Sequence, residues 1–296
     1  QAGPFRLEYF EQGKGLDTLV LVHGYASSAA LWRYTLEHLS EEQFRVIILN
    51  NRGAGNSDRA SSDGPFQEED YSVETFADDL FNAVEALGLD GFTLVGHSMG
   101  GATVAQFALE HQNLLKGLVL MNPAPLNGRD LPNGWEEELR ESLKGTQTPA
   151  GDMGFNVDHV TEDFKERVMG DIAQNPVERF IGGRRSMAGL RLRDRLQEIT
   201  IPTLVVGGDR DTTVGVGNIL AEYQALPQAV RHLHIFHGIG HSPNVEVARW
   251  VSTIVGNFSD MAGSLDLQGQ GSRQRPGDQN LSPGLGHLFA STRQKA

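Results

Sequence analysis

The feature that most constrains the fold is an apolar run of strand length that leads directly into a serine motif and then into a helical pattern. The apolar run is Phe92–Val95, the motif is Gly96-His97-Ser98-Met99-Gly100, and the helical pattern covers Ala102–Leu109. The small residues around Ser98 permit a sharp turn that lifts its hydroxyl above the edge of a sheet. The motif alone is also compatible with a purely structural turn. Its place at a strand-to-helix junction favours a nucleophile, because a helix N-terminus stabilises developing negative charge.

Similar apolar runs recur along the chain, with helical patterns between them. Most runs are continuous rather than alternating, which is typical of parallel strands covered on both faces. The alternation of strands and helices predicts an α/β fold with a mostly parallel central sheet flanked by helices. We expect Phe5–Phe10 to add an antiparallel edge strand. The other predicted elements are strands at Thr18–Val22, Arg45–Leu49, Phe92–Val95, Leu118–Met121, Thr203–Val206 and Leu233–Phe236, and helices at Val73–Leu87, Val216–Leu226 and Val245–Phe258.

The alternation breaks over residues 127–197, where the chain is richer in charge and has no convincing strand. Within this segment Trp135–Leu143 and Glu162–Ile172 have the apolar spacing of amphipathic helices. We therefore predict a helical cap insertion. The core into which it is inserted is expected to consist of residues 1–126 and 198–258.

Composition and missing motifs exclude several classes of protein. The net charge of −13 disfavours binding to nucleic acid or to an anionic membrane surface. The absence of cysteine removes disulfides, thiol nucleophiles and thiolate metal sites. No run approaches the roughly 18 apolar residues of a membrane span. Because no metal-ligand spacing, phosphate loop or dinucleotide fingerprint occurs, we expect no metal and no cofactor.

The two ends of the chain differ in composition from the rest. Gln1-Ala2-Gly3-Pro4 lacks the basic and apolar pattern of a secretory signal, which predicts a cytoplasmic location. Toward the C-terminus the sequence becomes rich in Gly, Gln, Ser, Pro and Arg. Residues 259–296 are therefore predicted to form a flexible tail.

A serine hydroxyl becomes a useful nucleophile when an imidazole accepts its proton and a carboxylate orients that imidazole. His241 is the best candidate for the base, because it follows the last predicted strand in a loop flanked by glycine, and His237 is the alternative. Asp209 and Asp211 both follow Thr203–Val206, so position in the chain leaves both open as the acid. The order serine, acid, histidine is that of a nucleophile displayed on an α/β sheet.

Taken together, these motifs resemble those of the α/β-hydrolases, in particular the capped lipase- and esterase-like members. The resemblance covers roughly residues 5–258 without the insertion, and the motifs occur in the order typical of the family. Asn50 departs from the pattern, because many relatives carry Asp there. Besides the serine motif, the matching motifs are Leu21-Val22-His23-Gly24-Tyr25, Asn50-Asn51-Arg52-Gly53-Ala54-Gly55-Asn56-Ser57, Gly208-Asp209-Arg210-Asp211-Thr212-Thr213-Val214 and Gly238-Ile239-Gly240-His241-Ser242-Pro243.

The resemblance implies a cofactor-independent serine hydrolase whose partner is a small-molecule acyl substrate. This substrate is a carboxylic ester, thioester or lactone, which is cleaved through an acyl-enzyme on Ser98. It assigns His241 as the base and Asp211 as the acid, since Asp211 lies three residues before apolar Val214 as in the family. In some relatives the acid follows the strand Leu118–Met121 instead, but Asn122 at that position has no carboxylate.

The resemblance also implies an oxyanion hole made by the backbone N–H groups of Tyr25 and Met99. His23 is expected to support the loop that carries Tyr25, and His97 to pack or hydrogen-bond locally. The same catalytic residues also serve C–C bond hydrolases and cofactor-free haloperoxidases or perhydrolases, so these reactions remain alternatives. A third alternative is a ligand-binding receptor that has lost catalysis. A serine at position 98 argues against dehalogenases and epoxide hydrolases, which use Asp there.

Six arginines lie close together in the insertion of this otherwise acidic chain. One interpretation is recognition of a carboxylate or phosphate on the substrate. The other, which we favour, is a solvated helix face on which arginines pair with Glu178, Asp194 and Glu198. The six arginines are Arg179, Arg184, Arg185, Arg191, Arg193 and Arg195.

Overall fold

The computed structural model describes residues 5–144 and 153–269, with side chains as far as Ser264. Seven strands form the central sheet, and two very short strands pair as a separate hairpin. In chain order the strands are β1 (Tyr9–Gln12), β2 (Asp17–Val22), β3 (Phe44–Leu49), β4 (Ala60–Ser61), β5 (Gly64–Pro65), β6 (Phe92–His97), β7 (Leu115–Met121), β8 (Thr203–Gly208) and β9 (Arg231–Phe236).

The central sheet has the strand order β1-β3-β2-β6-β7-β8-β9, and every neighbouring pair except β1 with β3 is parallel. This confirms the predicted α/β fold with a mostly parallel sheet. Because parallel strands all point the same way, the loops that follow β2, β6, β7, β8 and β9 meet at one edge. That edge is where ligands bind in open α/β sheets.

Helices cover both faces of the sheet, as predicted. Residues alternate between the two sides. Val20 and Val22 pack in the core beneath the second and third helices of the chain, whereas Leu19 and Leu21 pack in the core beneath the last helix. The helices are α1 (Arg33–Leu36), α2 (Val73–Leu87), α3 (Met99–His111), α4 (Trp135–Lys144), α5 (Glu162–Ala173), α6 (Val177–Gly189), α7 (Val216–Ala225), α8 (Pro243–Glu246) and α9 (Ala248–Gly269).

Residues 127–197, called the insertion below, connect β7 to β8. Its described parts, 127–144 and 153–197, contain α4, α5 and α6 and no strand. The helices predicted at Trp135–Leu143 and Glu162–Ile172 correspond to α4 and α5, whereas α6 was not predicted. An apolar cluster joins the insertion to the core, with Phe164 and Ile181 packed against Leu31 and Tyr34. The division into core and cap domains remains a prediction.

Two element boundaries differ from the predictions, and packing explains both. The edge strand was predicted over Phe5–Phe10, but β1 begins at Tyr9 because the Phe5 ring turns into the core, 5.2 Å from the Phe66 ring.

The predicted start of the tail at residue 259 is wrong, because α9 continues to Gly269. The Ser259 hydroxyl is buried and lies 2.7 Å from the Thr93 hydroxyl, and Ala262 packs over Gly117 of β7. The rest of the predicted tail, residues 270–296, lies outside the described residues.

Candidate active site

Ser98 lies between β6 and α3 in a strained backbone conformation, with φ of 57° and ψ of −121°. A positive φ is unfavourable for a residue with a side chain and persists where the surroundings impose it. The flanking residues must be glycines, because neighbouring backbone atoms leave no space for a side chain. A Cβ on Gly96 would lie 2.2 Å from the Gly100 carbonyl oxygen, and a Cβ on Gly100 would lie 2.5 Å from the Val22 carbonyl oxygen. The turn therefore brings Ser98 to the edge of the sheet at which the other loops meet.

The structure brings the three predicted side chains into one hydrogen-bonded chain. His241 Nε2 lies 3.0 Å from Ser98 Oγ, and His241 Nδ1 lies 2.8 Å from Asp211 Oδ2. All three residues are less than a tenth exposed. Ser98 follows β6, Asp211 follows β8 and His241 follows β9, so three separate loops supply the serine, the carboxylate and the imidazole.

Asp211 is held as an ionised acceptor. Its Oδ1 accepts the backbone N–H groups of Thr213 and Val214, at 2.7 and 3.0 Å, and its Oδ2 accepts the Asn122 amide at 2.6 Å. Burial acts to raise the pKa of Asp211, but hydrogen bonds from His241, Asn122 and Val214 outweigh it and hold the pKa well below its usual value. An ionised Asp211 favours the tautomer of His241 with the proton on Nδ1, which leaves Nε2 free to accept the Ser98 proton.

Asn122 is a site residue for which the sequence predicted no role. It was noted because it cannot act as the acid, yet its amide is a hydrogen-bond donor to the acid. Its backbone φ is 40°, so it is a second non-glycine residue with positive φ beside Ser98. Asn122 lies directly after β7, at the edge of the sheet where the other loops meet. This position is the sequence feature that could have indicated a site residue.

A family model of the alpha/beta hydrolase fold matches residues 17–246, which is more than three quarters of the chain. The chain belongs to the α/β-hydrolase family. This α/β-hydrolase is 27% identical over 275 residues to a 2-hydroxy-6-oxononadienedioate/2-hydroxy-6-oxononatrienedioate hydrolase of Cupriavidus pinatubonensis, covering 86% of this chain and 90% of that protein.

Solved structures give a consistent picture of the fold. A bromoperoxidase from Bacillus anthracis matches this α/β-hydrolase with a TM-score of 0.73 and 25% identity, covering 87% of this chain and 96% of that one. An esterase from Thermogutta terrifontis matches with a TM-score of 0.70 and 25% identity, covering 87% and 94%. Because hydrolases and a peroxidase are both among these proteins, similarity alone leaves the reaction of this α/β-hydrolase open.

The loop that carries one predicted oxyanion donor runs over residues 24–28 and is called the oxyanion loop below. It touches the nucleophile, since a Cβ on Gly24 would lie 2.9 Å from the Ser98 Cβ. Met99, which carries the other predicted donor, is the first residue of α3. A Cβ on Gly183 of α6 would contact both the Tyr25 ring and the Met99 side chain. The oxyanion roles of Tyr25 and Met99 remain predictions.

The alternative histidine and carboxylate form a different pair. His237 Nδ1 lies 2.7 Å from Asp209 Oδ2, and the His237 side chain is 90% exposed. His97 instead packs behind the candidate base, where its Nε2 lies 2.8 Å from the His241 carbonyl oxygen. Burial, together with the neighbouring His241, lowers the pKa of His97 to about 3. His97 is therefore a neutral group that supports the His241 backbone.

His23 connects the oxyanion loop to the core. Its Nε2 accepts the backbone N–H of Asn51 at 3.2 Å, and its Nδ1 lies 2.9 Å from the Gly24 carbonyl oxygen. Both contacts are satisfied by the neutral tautomer with the proton on Nδ1. Burial first, and then the nearby Arg179 cation, lower the pKa of His23 to about 3.

The buried neutral state of His23 predicts a loss of stability in acid. Between pH 7 and pH 5 the unfolded chain gains a proton near its ordinary pKa of 6.5, whereas the folded chain does not until the pH approaches 3. The free energy of unfolding is therefore expected to fall by about 2 kcal/mol at pH 5 from this histidine. Urea unfolding at the two pH values measures the loss, and His23→Asn is expected to reduce it by that amount. An equal loss in the wild type and the variant contradicts the assignment.

A cavity of about 250 Å³ is lined by Ser98 and His241. Its size suits a small ligand, and the insertion supplies much of its wall. The apolar lining includes Leu31, Leu139, Met153, Ile172, Met187 and Val214, and the cationic lining consists of Arg129 and Arg184.

The six arginines of the insertion do not form the single solvated face that we favoured. Arg195 pairs with Glu198 as predicted, Arg193 pairs with Glu222, and Arg185 pairs with acidic groups at the surface. For Arg179, Arg184 and Arg191, in contrast, no carboxylate among the described residues lies within ion-pair distance. Arg179 is buried behind the oxyanion loop, and Arg184 faces the cavity.

Among residues 5–144 and 153–264, acidic and histidine side chains form no group that could hold a metal ion. In the same part of the chain, no helix has the length and apolar character needed to cross a bilayer.

Proposed function

We propose that this α/β-hydrolase cleaves a small carboxylic ester, thioester or lactone through an acyl-enzyme on Ser98. The observation that carries the proposal is the continuous hydrogen-bonded chain from Ser98 Oγ through the His241 imidazole to the Asp211 carboxylate, beside a cavity. A serine, a base and an orienting acid in this arrangement are the requirements of acyl transfer. Membership of the α/β-hydrolase family supports hydrolysis as the general type of reaction.

In the proposed reaction, Ser98 Oγ attacks the substrate carbonyl carbon while His241 Nε2 takes the hydroxyl proton. The carbonyl oxygen becomes an oxyanion, stabilised by the N–H groups of Tyr25 and Met99. Collapse of this intermediate breaks the bond to the leaving group, which receives the proton from His241. Water then repeats the sequence on the acyl-enzyme: His241 removes its proton, the acid is released, and Ser98 regains its hydrogen.

The finer part of the proposal is that the substrate carries a carboxylate. Arg184 lines the cavity, and its buried Nε has no hydrogen-bond partner among the described residues. Its guanidinium lies 5.4 Å from the centre of the Trp135 ring, which orients the cation without neutralising it. Arg129 at the exposed rim donates to the Thr213 carbonyl oxygen. A carboxylate bound here would supply the counter-charge that both cations lack, and the relative from Cupriavidus acts on a dioate.

Removal of Arg184 is expected to change selectivity. Arg184→Gln is expected to lower kcat/KM for p-nitrophenyl hemisuccinate by about 10- to 100-fold, because one charge-assisted hydrogen bond is lost. For neutral p-nitrophenyl butyrate, of similar length, kcat/KM is expected to stay within about twofold. The measurement is steady-state hydrolysis of both esters by each protein.

Arg185→Gln is the matched control, because Arg185 is the next residue on α6 and pairs with Glu68 and Glu136 outside the cavity. It is expected to leave the ratio of the two kcat/KM values unchanged. An equal loss on both esters in Arg184→Gln would reject the carboxylate subsite. A wild-type protein that hydrolyses neither ester, nor any thioester or lactone of this size, would reject ester hydrolysis itself.

C–C bond hydrolysis is the second candidate, and the similarity to the oxononadienedioate hydrolase favours it. The same Ser98, His241 and Asp211 would serve that reaction, and a dioate would also satisfy Arg184. A panel that contains a carboxylated 1,5-diketone beside the two esters separates the two reactions. Peroxide-dependent halogenation is a third reaction to assay, since a bromoperoxidase shares the fold.

A further inference from the structure

The insertion is hydrogen-bonded to the oxyanion loop. Each of the last four residues of the loop hydrogen-bonds to the segment 171–180, which spans the end of α5, the following turn and the start of α6. The four hydrogen bonds run from the Tyr25 hydroxyl to the Phe180 carbonyl oxygen (2.7 Å), from Asn175 Nδ2 to the Ala26 carbonyl oxygen (2.7 Å), from Arg179 Nη2 to the Ser27 carbonyl oxygen (3.4 Å) and from the Ser28 hydroxyl to Asp171 Oδ2 (2.5 Å).

The loop needs this support because its backbone is strained at the centre. Ala26 has a φ of 53°, in the left-handed region that residues with a Cβ rarely adopt. Such a conformation persists where neighbouring contacts fix it. The carbonyl oxygen of Ala26 is the acceptor for Asn175, so the hydrogen bond from the insertion acts directly on the strained residue. Ala26 also directly follows Tyr25, the predicted oxyanion donor.

Arg179 acts beside Asn175 and is an unusual group for a protein interior. It is 2% exposed, and no carboxylate among the described residues lies within ion-pair distance. Burial lowers the pKa of Arg179 to about 10, so it stays charged at neutral pH. Its guanidinium donates to the Asn175 side-chain oxygen and the Ser27 carbonyl oxygen. A buried cation is costly, and here its hydrogen bonds go to the loop and to the residue that holds the loop.

We propose that Asn175 and Arg179 are positioning residues for the oxyanion hole. They fix the carbonyl groups of Ala26 and Ser27, and thereby aim the Tyr25 N–H at the acyl oxygen above Ser98. The inference rests on the proposed function, because an oxyanion hole matters when Ser98 attacks a carbonyl. Simple attachment of the insertion to the core would affect folding and substrate binding, whereas positioning affects the transition state.

Asn175→Ala is expected to lower kcat for p-nitrophenyl butyrate by about 10- to 100-fold with little change in KM, because the misplaced donor contributes mainly in the transition state. A trifluoromethyl ketone forms an adduct with Ser98 that places an oxyanion in the same hole. Its affinity is expected to fall by the same factor as kcat/KM. Arg179→Met is expected to act in the same direction. If Asn175→Ala does not fold, Asn175→Asp removes the donor to Ala26 and keeps the acceptor for Arg179.

Tyr34→Phe is the matched control. The Tyr34 hydroxyl accepts the backbone N–H of Thr161 at 3.0 Å, and so joins the insertion to the core away from the oxyanion loop. Tyr34→Phe is expected to lower the unfolding temperature and to leave kcat and ketone affinity unchanged. Amide hydrogen exchange at residues 24–28, measured without substrate, is expected to be faster in the Asn175 variants and not in Tyr34→Phe.

Unchanged exchange in residues 24–28 overturns the proposal. An increase in the KM of Asn175→Ala also overturns the proposal if kcat and ketone affinity keep their wild-type values. If the wild-type protein hydrolyses no ester but exchange is faster in Asn175→Ala, the proposed function is wrong. The conclusion that the insertion fixes the oxyanion loop would then still stand.

Discussion

Ser98→Ala is expected to lower kcat for a carboxylic ester by on the order of 10⁶-fold. The substitution removes the oxygen that lies 3.0 Å from His241 Nε2 and would form the acyl-enzyme. A small rate above that of water is expected to remain, because the oxyanion hole and the cavity are intact. Steady-state turnover of p-nitrophenyl butyrate measures the loss, with circular dichroism as the test of folding.

Covalent labelling provides an independent measurement of the same group. A fluorophosphonate is expected to modify the wild type on the peptide that contains Ser98 and to leave Ser98→Ala unmodified. Ser264→Ala, on the exposed surface of α9, is the control and is expected to behave as the wild type. Wild-type turnover by Ser98→Ala would mean that another group attacks the substrate, and the mechanism would be wrong.

Asp211→Asn is expected to lower kcat by about 10³- to 10⁴-fold with little change in KM. Since Oδ1 accepts two backbone N–H groups, the new amide nitrogen would take the place of Oδ2. It would then present a donor to His241 Nδ1 and to the Asn122 amide. His241 would be driven to the tautomer with its proton on Nε2, which cannot accept the Ser98 proton. The Asp211→Asn variant therefore keeps the shape of the site and loses its base.

Asp209→Asn is the matched control for this prediction, because Asp209 lies two residues away and forms an exposed pair with His237. Its kcat is expected to remain within about twofold of the wild type. If Asp209→Asn and Asp211→Asn lose similar activity, the assignment of the acid is wrong. If Asp211→Asn keeps wild-type kcat, orientation of His241 by Asp211 is not needed for the reaction.

The sequence was most informative where covalent position determines spatial position. In a parallel sheet the residues after each strand lie at the same edge, so Ser98, a carboxylate after β8 and a histidine after β9 were expected to be near one another. The resemblance to the family then selected Asp211 rather than Asp209. The structure brings Ser98, Asp211 and His241 into contact. The glycines at 96 and 100 were expected to permit a tight turn, and contacts with neighbouring backbone require them.

Sequence was less informative where the environment of a side chain depends on the tertiary packing of the insertion. The six arginines all lie between positions 179 and 195, yet Arg195 forms a surface ion pair, Arg184 lines the cavity and Arg179 is buried. Asn122 was excluded as an acid, but its role as a donor to Asp211 depends on the distance between two loops. The extension of α9 likewise depends on burial of Ser259 and Ala262 against the sheet.

The four hydrogen bonds between residues 25–28 and residues 171–180 have a consequence for protein engineering. Exchange of whole segments between homologues is an obvious route to new selectivity, since the segment 127–197 forms much of the cavity wall. In this protein such a chimera would also replace every one of those four partners, and turnover would suffer together with the change in selectivity. Point libraries at Leu139 and Met187, which line the cavity, reshape it and leave residues 171–180 untouched.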